Sequence, residues 1–356
     1  MLLNQILHEL EVYMKRMMNR MVIIGCLVVF WGLVVGIENV SGAEGPADFF
    51  RGKTIIWIYS GDAGSPGDLI TRIIAPFLAK DIGAKVKVEN KKTDEGVNYL
   101  YNQGSREGLT LCTNTSAAII GNEILKAPGM QYETNKLNFV ADVYPTLKMF
   151  QISPKLPYKT LDTLRKAKGL RAGATSAKGA IAVSNAAVLE LLGLDGKVIT
   201  GFNGKKELTL AIARGEIDLM VTSDNGAMKD EKDGYVVNLF VVGDKRSVAV
   251  PHVPALSELG VKIPKEMVAV YKFVTSGGTA VALPPGVLQE RVEYLRKEFQ
   301  ALSNNKDLQR ELERMTGDRR PFVSGKELQE EMAEIKSDKE LANKLDTIFK
   351  KYTAVR

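Results

Sequence analysis

Serine, threonine, asparagine, aspartate and glycine gather in five short stretches of this 356-residue chain: residues 61–67 (GDAGSPG), 114–116, 175–179, 203–204 and 223–225. Their shared chemistry is that of holding an anionic oxygen. Hydroxyls, side-chain amides and unpaired backbone N–H groups bind a carboxylate without a buried lysine or arginine. Four of the five stretches join a run that reads as a strand to one that reads as a helix, and the fifth closes a strand. Helix N-termini would therefore present their free N–H groups beyond the strand ends. Ordinary capping by Ser, Thr, Asn and Asp explains any single turn of this kind equally well, so the weight lies in the recurrence.

The first turn has the most detail. Residues 54–60 (TIIWIYS) are β-branched and aromatic enough for a buried strand, and Leu69, Ile70, Ile73, Ile74, Phe77 and Leu78 recur at the spacing of one helical face. Ser65 fits an N-cap, Pro66 the first helical position, and Asp68, three residues after the cap, completes the pattern of a capping box. Gly61, Gly64 and Gly67 would let a ligand approach the backbone closely. This turn is the expected first wall of a carboxylate pocket.

The elements that must carry the other turns alternate along the chain. Strand-like runs at 85–89, 109–113, 170–174, 197–202, 217–222 and 235–242 are interleaved with helical patterns near 99–100, 117–125, 180–192 and 205–213. Such alternation predicts α/β architecture with parallel sheets of βαβ units, and its two runs predict two lobes. Residues 137–152 read as extended with a break at Pro145, and 266–275 as an extended return from the second lobe. From Pro284 onward the pattern is helical, over 285–304, 306–316 and 324–352, and this tail is assigned to the first lobe. The expected division is 44–145 with 270–356 for the first lobe and 146–269 for the second.

Residues 1–43 are set apart as a secretory signal. Lys15, Arg16 and Arg20 precede an apolar run from Met21 to Gly36, and Ser41-Gly42-Ala43 offers small residues for cleavage after Ala43. An uncleaved anchor is the alternative, although the run is shorter than the ~20 residues of a normal span. Roughly 310 residues remain, about two domains at roughly 150 residues each. The expected location is periplasmic or extracytoplasmic. The net charge of +6 is scattered and interleaved with acids, which speaks against a nucleic-acid partner. Of two cysteines Cys26 lies in the signal, so Cys112 is left alone as a buried strand residue and the cores must hold the fold without a disulfide.

Residues 63–67 (AGSPG) superficially resemble a nucleophile elbow, and Ser65, Asp224 and His252 occur in hydrolase order. Pro66 argues against that reading, because the residue after such a serine must donate a backbone N–H to the oxyanion and proline has none. His252 sits in a proline-flanked turn and stands as the lone histidine after the signal, which supports neither a base nor a metal set. No cofactor is expected.

The order of segments resembles the substrate-binding proteins of tripartite tricarboxylate transporters, the TctC or Bug family. The resemblance rests on IIWIYSGDAGSPGDLITRIIA from Ile55, VKVEN from Val86, EGLTL from Glu107, GEIDLM from Gly215 with Asp224-Asn225, and Arg246-Ser247 with PHVPALSELG from Pro251. It spans about residues 50–316. It implies a type II periplasmic binding fold, two α/β lobes on a two-strand hinge, with an organic acid held in the cleft by main-chain N–H groups and water. The hinge is expected near residues 142–147 and 268–274. Carried over, Gly64, Ser65 and Asp68 belong to the first loop, Thr115 and Ser116 to the second, and Thr175, Ser176, Asn203 and Asp224 to the opposing lobe; Asn114 and Gly179, in the same polar turns, are candidate ligand residues beside them. The chain departs from the pattern in the acids Asp62, Asp94 and Glu95. These either face solvent or meet a cationic group on the ligand, as in an amino acid. The implied partners are a small carboxylate and membrane transporter subunits, with the protein a monomer; a sensor presenting its closed form to a signalling partner is the alternative.

Overall fold

The computed structural model describes residues 8, 12–18, 45–92, 95–175 and 180–353. The chain divides into two units, Met1–Phe49 and Phe50–Arg356. In the first, residues 12–18 are helical; the expected cleavage point after Ala43 lies outside the described residues. The second carries both sheets.

Strand β1 (Thr54–Ser60) buries Ile55, Trp57 and Ile58 completely, as its apolar run requires. Helix α1 (Pro66–Ile82) follows, burying Ile70, Ile74 and Leu78 four residues apart and stopping at Gly83 in the left-handed conformation (φ 65°). Then come β2 (Lys85–Lys91), α2 (Glu95–Gln103), β3 (Thr110–Thr115), α3 (Ser116–Ile124) and β4 (Asn138–Asp142). The chain next enters a second sheet through β5 (Lys148–Ile152), α4 (Leu161–Leu164), β6 (Leu170–Gly173), α5 (Ala180–Leu192), β7 (Gly196–Ile199), α6 (Gly204–Arg214), β8 (Leu219–Ser223), α7 (Ala227–Lys232) and β9 (Val237–Val242). It returns through α8 (Val268–Thr275) to β10 (Thr279–Leu283), and closes with α9 (Gln289–Ser303), α10 (Lys306–Thr316), β11 (Val323–Ser324), α11 (Gly325–Ser337) and α12 (Leu341–Thr353).

The six-stranded sheet has the order β11-β4-β10-β3-β1-β2 and the five-stranded sheet the order β7-β6-β8-β5-β9. Both are mixed, not parallel as the alternation of elements predicted. β1 is parallel to β2 and β3, but β10 is antiparallel to β3 and β4; β6 is parallel to β7 and β8, but β5 is antiparallel to β8 and β9. The cause is the double crossing. β5 and β10 each start where the chain arrives from the other sheet, so they run against neighbours whose carboxyl ends point there.

The crossings are residues 143–147 and 276–278, paired by Val143 N–H to Thr279 O (2.9 Å) and Thr146 N–H to Gly277 O (3.2 Å). The expected extended return over 266–275 is instead a 3-10 turn (Lys265–Met267) followed by α8, which buries Val270, Tyr271, Phe273 and Val274. Its β-branched and aromatic residues favour a strand locally, and packing of one helical face overrides that preference. The helical reading of 324–352 also divides, at residues 338–340. α9, α10 and α11 pack on the first sheet and α1, whereas α12 packs on α5 and β7 of the second. Lys351 (2.5 Å) and Tyr352 (2.8 Å) both reach Glu190 on α5, so the tail does not belong wholly to the first lobe as expected.

Candidate functional site

The carboxyl ends of β1, β3 and β8 and the amino ends of β5 and β10 surround a cleft of about 350 Å³. Tyr59, Gly67, Ile70, Asn114 and Thr115 line it from the first sheet, and Lys148, Ser184, Lys205, Thr222 and Asn225 from the second. Thr146 and Gly277 of the crossings close its base.

Two lysines missed by the sequence reading dominate the electrostatics. Lys148 opens β5 opposite Ser223 of β8, and burial draws its ammonium below the ordinary lysine value while the Asp224 charge opposes the change. Among the described residues no carboxylate lies within ion-pairing distance of it. Lys205, in the first turn of α6, is also drawn down by burial, but it pairs with Asp230 at 3.6 Å and donates to Asn225 O. A lysine at the start of a strand carries no local signature, so only the crossing of the chain reveals its position.

The first turn is built differently from the expectation. α1 begins at Pro66 with Ser65 as N-cap, but the Ser65 hydroxyl makes no capping bond; it donates to Tyr59 Oη at 3.0 Å. Asp68 reaches past the cap to accept from Gly64 N–H at 2.8 Å, and also binds Arg72 Nε (3.0 Å) and Asn90 Nδ2 (2.8 Å), which with Arg72 hold its carboxyl below the usual range although burial works against them. Asp68 is buried and engaged, hence not available to a ligand. The space beside Gly61 and Gly67 is taken by the Tyr59 ring, since a Cβ at either would lie 2.7 Å from that ring. Both glycines make room for the Tyr59 ring, and of the two Gly67 also lines the cleft.

The other expected residues divide. Asn114 and Thr115 line the cleft; Asn114 Oδ1 accepts from Thr115 N–H (2.7 Å), and Thr115 Oγ1 caps α3 by accepting from Ala118 N–H (3.2 Å). Ser116 is buried with its N–H on Gly278 O (3.3 Å), and its hydroxyl has no partner among the described residues. Asp62 is exposed and Glu95 borders a separate surface depression with Asn98 and Gln131, so neither faces the cleft. Thr175 and Asn203 are not among the lining residues, and Asn203 N–H donates to Glu207 (2.6 Å). Ser176, Gly179 and Asp94 lie outside the described residues.

Asp224 is corrected most clearly. Its carboxylate is 1% exposed and fully committed, to Arg320 Nη1 (2.9 Å), Ser247 Oγ (2.5 Å) and Leu147 N–H (3.2 Å). Ser65, Asp224 and His252 are thus held by three different partners, Tyr59, Arg320 and Glu231, and are not assembled as a triad. Cys112 is buried as expected, and burial raises its thiol pKa.

Two mixed α/β sheets joined by a double crossing, with a cleft at their facing strand ends, define a periplasmic-binding-protein fold. The model of the tripartite tricarboxylate transporter family receptor, TctC, matches residues 70–315, and the chain belongs to this family of periplasmic solute-binding proteins. Protein BugT of Bordetella pertussis is 23% identical over 270 residues, covering 73% of this chain and 79% of its own. Among solved structures, a TctC solute-binding protein from Polaromonas without ligand superposes with a TM-score of 0.69 at 19% identity, over 84% of this chain and 98% of its own. MatC from Rhodopseudomonas palustris with bound malate gives 0.60 at 18%, over 80% and 98%. A second R. palustris protein, with adipate, gives 0.63 at 17%, over 83% and 97%. Among the described residues no helix is long and apolar enough to cross a membrane.

Proposed function

We propose that this chain captures a small organic carboxylate in the cleft between its sheets, without transforming it, and delivers it to the membrane subunits of a tripartite tricarboxylate-type transporter. The observation that carries the reading is Lys148, a cation without a carboxylate partner among the described residues, facing Asn114 and Thr115 across the cleft. A half-buried cation left unpaired costs free energy that an anionic ligand recovers. The malate and adipate held by two structural relatives are carboxylates, in line with this chemistry. Closure would swing the sheets about the crossings at residues 143–147 and 276–278, with α12 moving with the second lobe, and the closed form would be what the membrane partner recognises.

Calorimetry with malate, adipate, citrate and their neutral amides, on the unmodified protein and on Lys148→Met, tests the reading. A carboxylate should bind saturably, its amide should not, and the substitution should weaken binding by about 10- to 100-fold. Binding indifferent to Lys148→Met would overturn this placement of the ligand. Turnover of an ester or amide would return the protein to the hydrolases. Cells lacking the chain should lose uptake of the same acid.

A further inference from the structure

We infer that the ligand carries a single carboxylate and an unsubstituted apolar tail, and that the tail lies in an annex opening from the cleft beside Lys148. This rests on the carboxylate reading above and adds what the rest of the ligand is. Ala117, Lys148, Ala180 and Ser184 line both the cleft and a second cavity of about 110 Å³ between α3 and α5. Beyond these four the wall turns apolar. Ala118, Gly121 and Leu125 of α3 face Val183 of α5, with Phe273 and Val274 of α8 alongside, and Asn122 is the one polar side chain added. Leu125 and Val183 also line a further cavity of about 200 Å³, bounded by Leu345 and Phe349 of α12. The cleft therefore adjoins an apolar annex past Lys148, and the annex in turn adjoins a more polar cavity beside α12 that Lys126, Asn343 and Asp346 help to line.

Charge fixes the orientation. Lys205 is compensated by Asp230, so among the described residues Lys148 is the uncompensated cation of the cleft, and it also lines the annex. A carboxylate on Lys148 directs whatever is attached to it either back into the cleft or onward between α3 and α5. A second carboxylate sent onward would meet no cation beyond Lys148 among the described residues of the annex, and would lose its hydration against alanine, valine and phenylalanine. At the outer end Lys126 and Asp346 carry opposite charges, so no net cation awaits it there. A methylene chain in the same path gains from burial.

The test is a calorimetric series of unbranched monocarboxylates from acetate to octanoate, with the dicarboxylate of each length beside it. Affinity should rise about four-fold per methylene until the annex is filled, and each monocarboxylate beyond the shortest should bind more tightly than its dicarboxylate. Ala118→Phe fills the annex from α3 at a position that does not itself line the cleft, so it should flatten the series while the shortest acids still bind. Leu125→Asp, at a partly exposed position, should penalise the long acids alone and serves if the first variant does not fold. A flat series in the unmodified protein, with short acids still sensitive to Lys148→Met, would overturn the annex and leave the carboxylate reading standing. Preference for dicarboxylates would overturn the apolar tail, and failure of every acid to bind would overturn both readings.

Discussion

Arg320 donates through Nη1 to Asp224 Oδ1 at 2.9 Å, joining the segment after α10 to the end of β8. The same nitrogen reaches Pro145 O at 2.8 Å in the first crossing, while Nη2 binds Asp318 at 2.7 Å and the guanidinium stacks over Tyr144 at 4.7 Å. One side chain thus gathers both lobes and the base of the cleft. Asp224 in turn accepts from Ser247 and from Leu147 N–H beside Lys148, so it fixes the approach to β5 without touching a ligand.

Both members of this pair are almost fully buried, at 4% and 1% side-chain exposure. Arg320→Ala should cost roughly 3–5 kcal/mol, because it leaves the buried Asp224 charge without its cation, and Asp224→Ala should cost less, because Arg320 keeps Asp318. The double substitution should cost less than the sum of the two. Urea unfolding of the three variants checks this, and full additivity would show that the pair is not coupled.

Lys148 makes an opposite prediction for stability and function. Removing a desolvated, unpaired ammonium should leave Lys148→Met as stable as the unmodified chain or more so, while ligand affinity falls. Its folded-state pKa is depressed, so the cost of charging it is absent above the unfolded value, grows as pH falls from the unfolded to the folded value, and is complete below the folded one. A bound carboxylate favours the charged form. Affinity should therefore hold at neutral pH and decline on the alkaline side, beginning below the ordinary lysine value, and a titration of affinity against pH in the two proteins separates this from any general effect.

Asp142, at the end of β4, is pushed up to about 7, chiefly by burial, against the opposing bonds from Thr279 N–H (2.7 Å) and Tyr144 N–H (3.1 Å). The folded chain then binds a proton more readily than the unfolded chain between the ordinary value of 3.8 and about 7. Its contribution is present in full below that window and is lost as pH rises through it, a change of at most about 4 kcal/mol. Asp142→Asn keeps an oxygen for both N–H groups and should remove this component. Chemical denaturation at pH 5 and pH 8 should show the two proteins diverging.

Gly278 abuts that same carboxylate: a Cβ there would lie 1.6 Å from Asp142 Oδ2. Gly278→Ala should destabilise by about 1–3 kcal/mol as an overpacked site and disturb the crossing at Thr279. Pairing it with Asp142→Ala, which clears the space, should recover part of the loss in a thermal melt.

Much of the frame was legible in sequence because its signals are local. Residues 54–60 announce a buried strand and Pro66 a helix start, and α5 begins and ends where its apolar pattern does. Thr160 caps α4 in the same local way, with its hydroxyl accepting from Thr163 N–H at 3.2 Å. β10 was not legible. Its TAVAL has little strand preference of its own and becomes a strand through burial on both faces between β3 and β4.

By itself the sequence determined the alternation of strands and helices, the two-lobed class and the turns that end at the cleft, because hydrophobic period and capping chemistry act within a few residues. Only the tertiary structure decided what those turns do. Asp68 and Asp224 look like ligand groups in the sequence, yet each is consumed by a partner distant along the chain, Asn90 and Arg320. Lys148 carries no motif at all, and comes to line the cleft because the chain crosses between sheets there, desolvating its ammonium where no carboxylate among the described residues lies within ion-pairing distance. Charge pairing and desolvation act through space, and strands and helices read one at a time cannot express either.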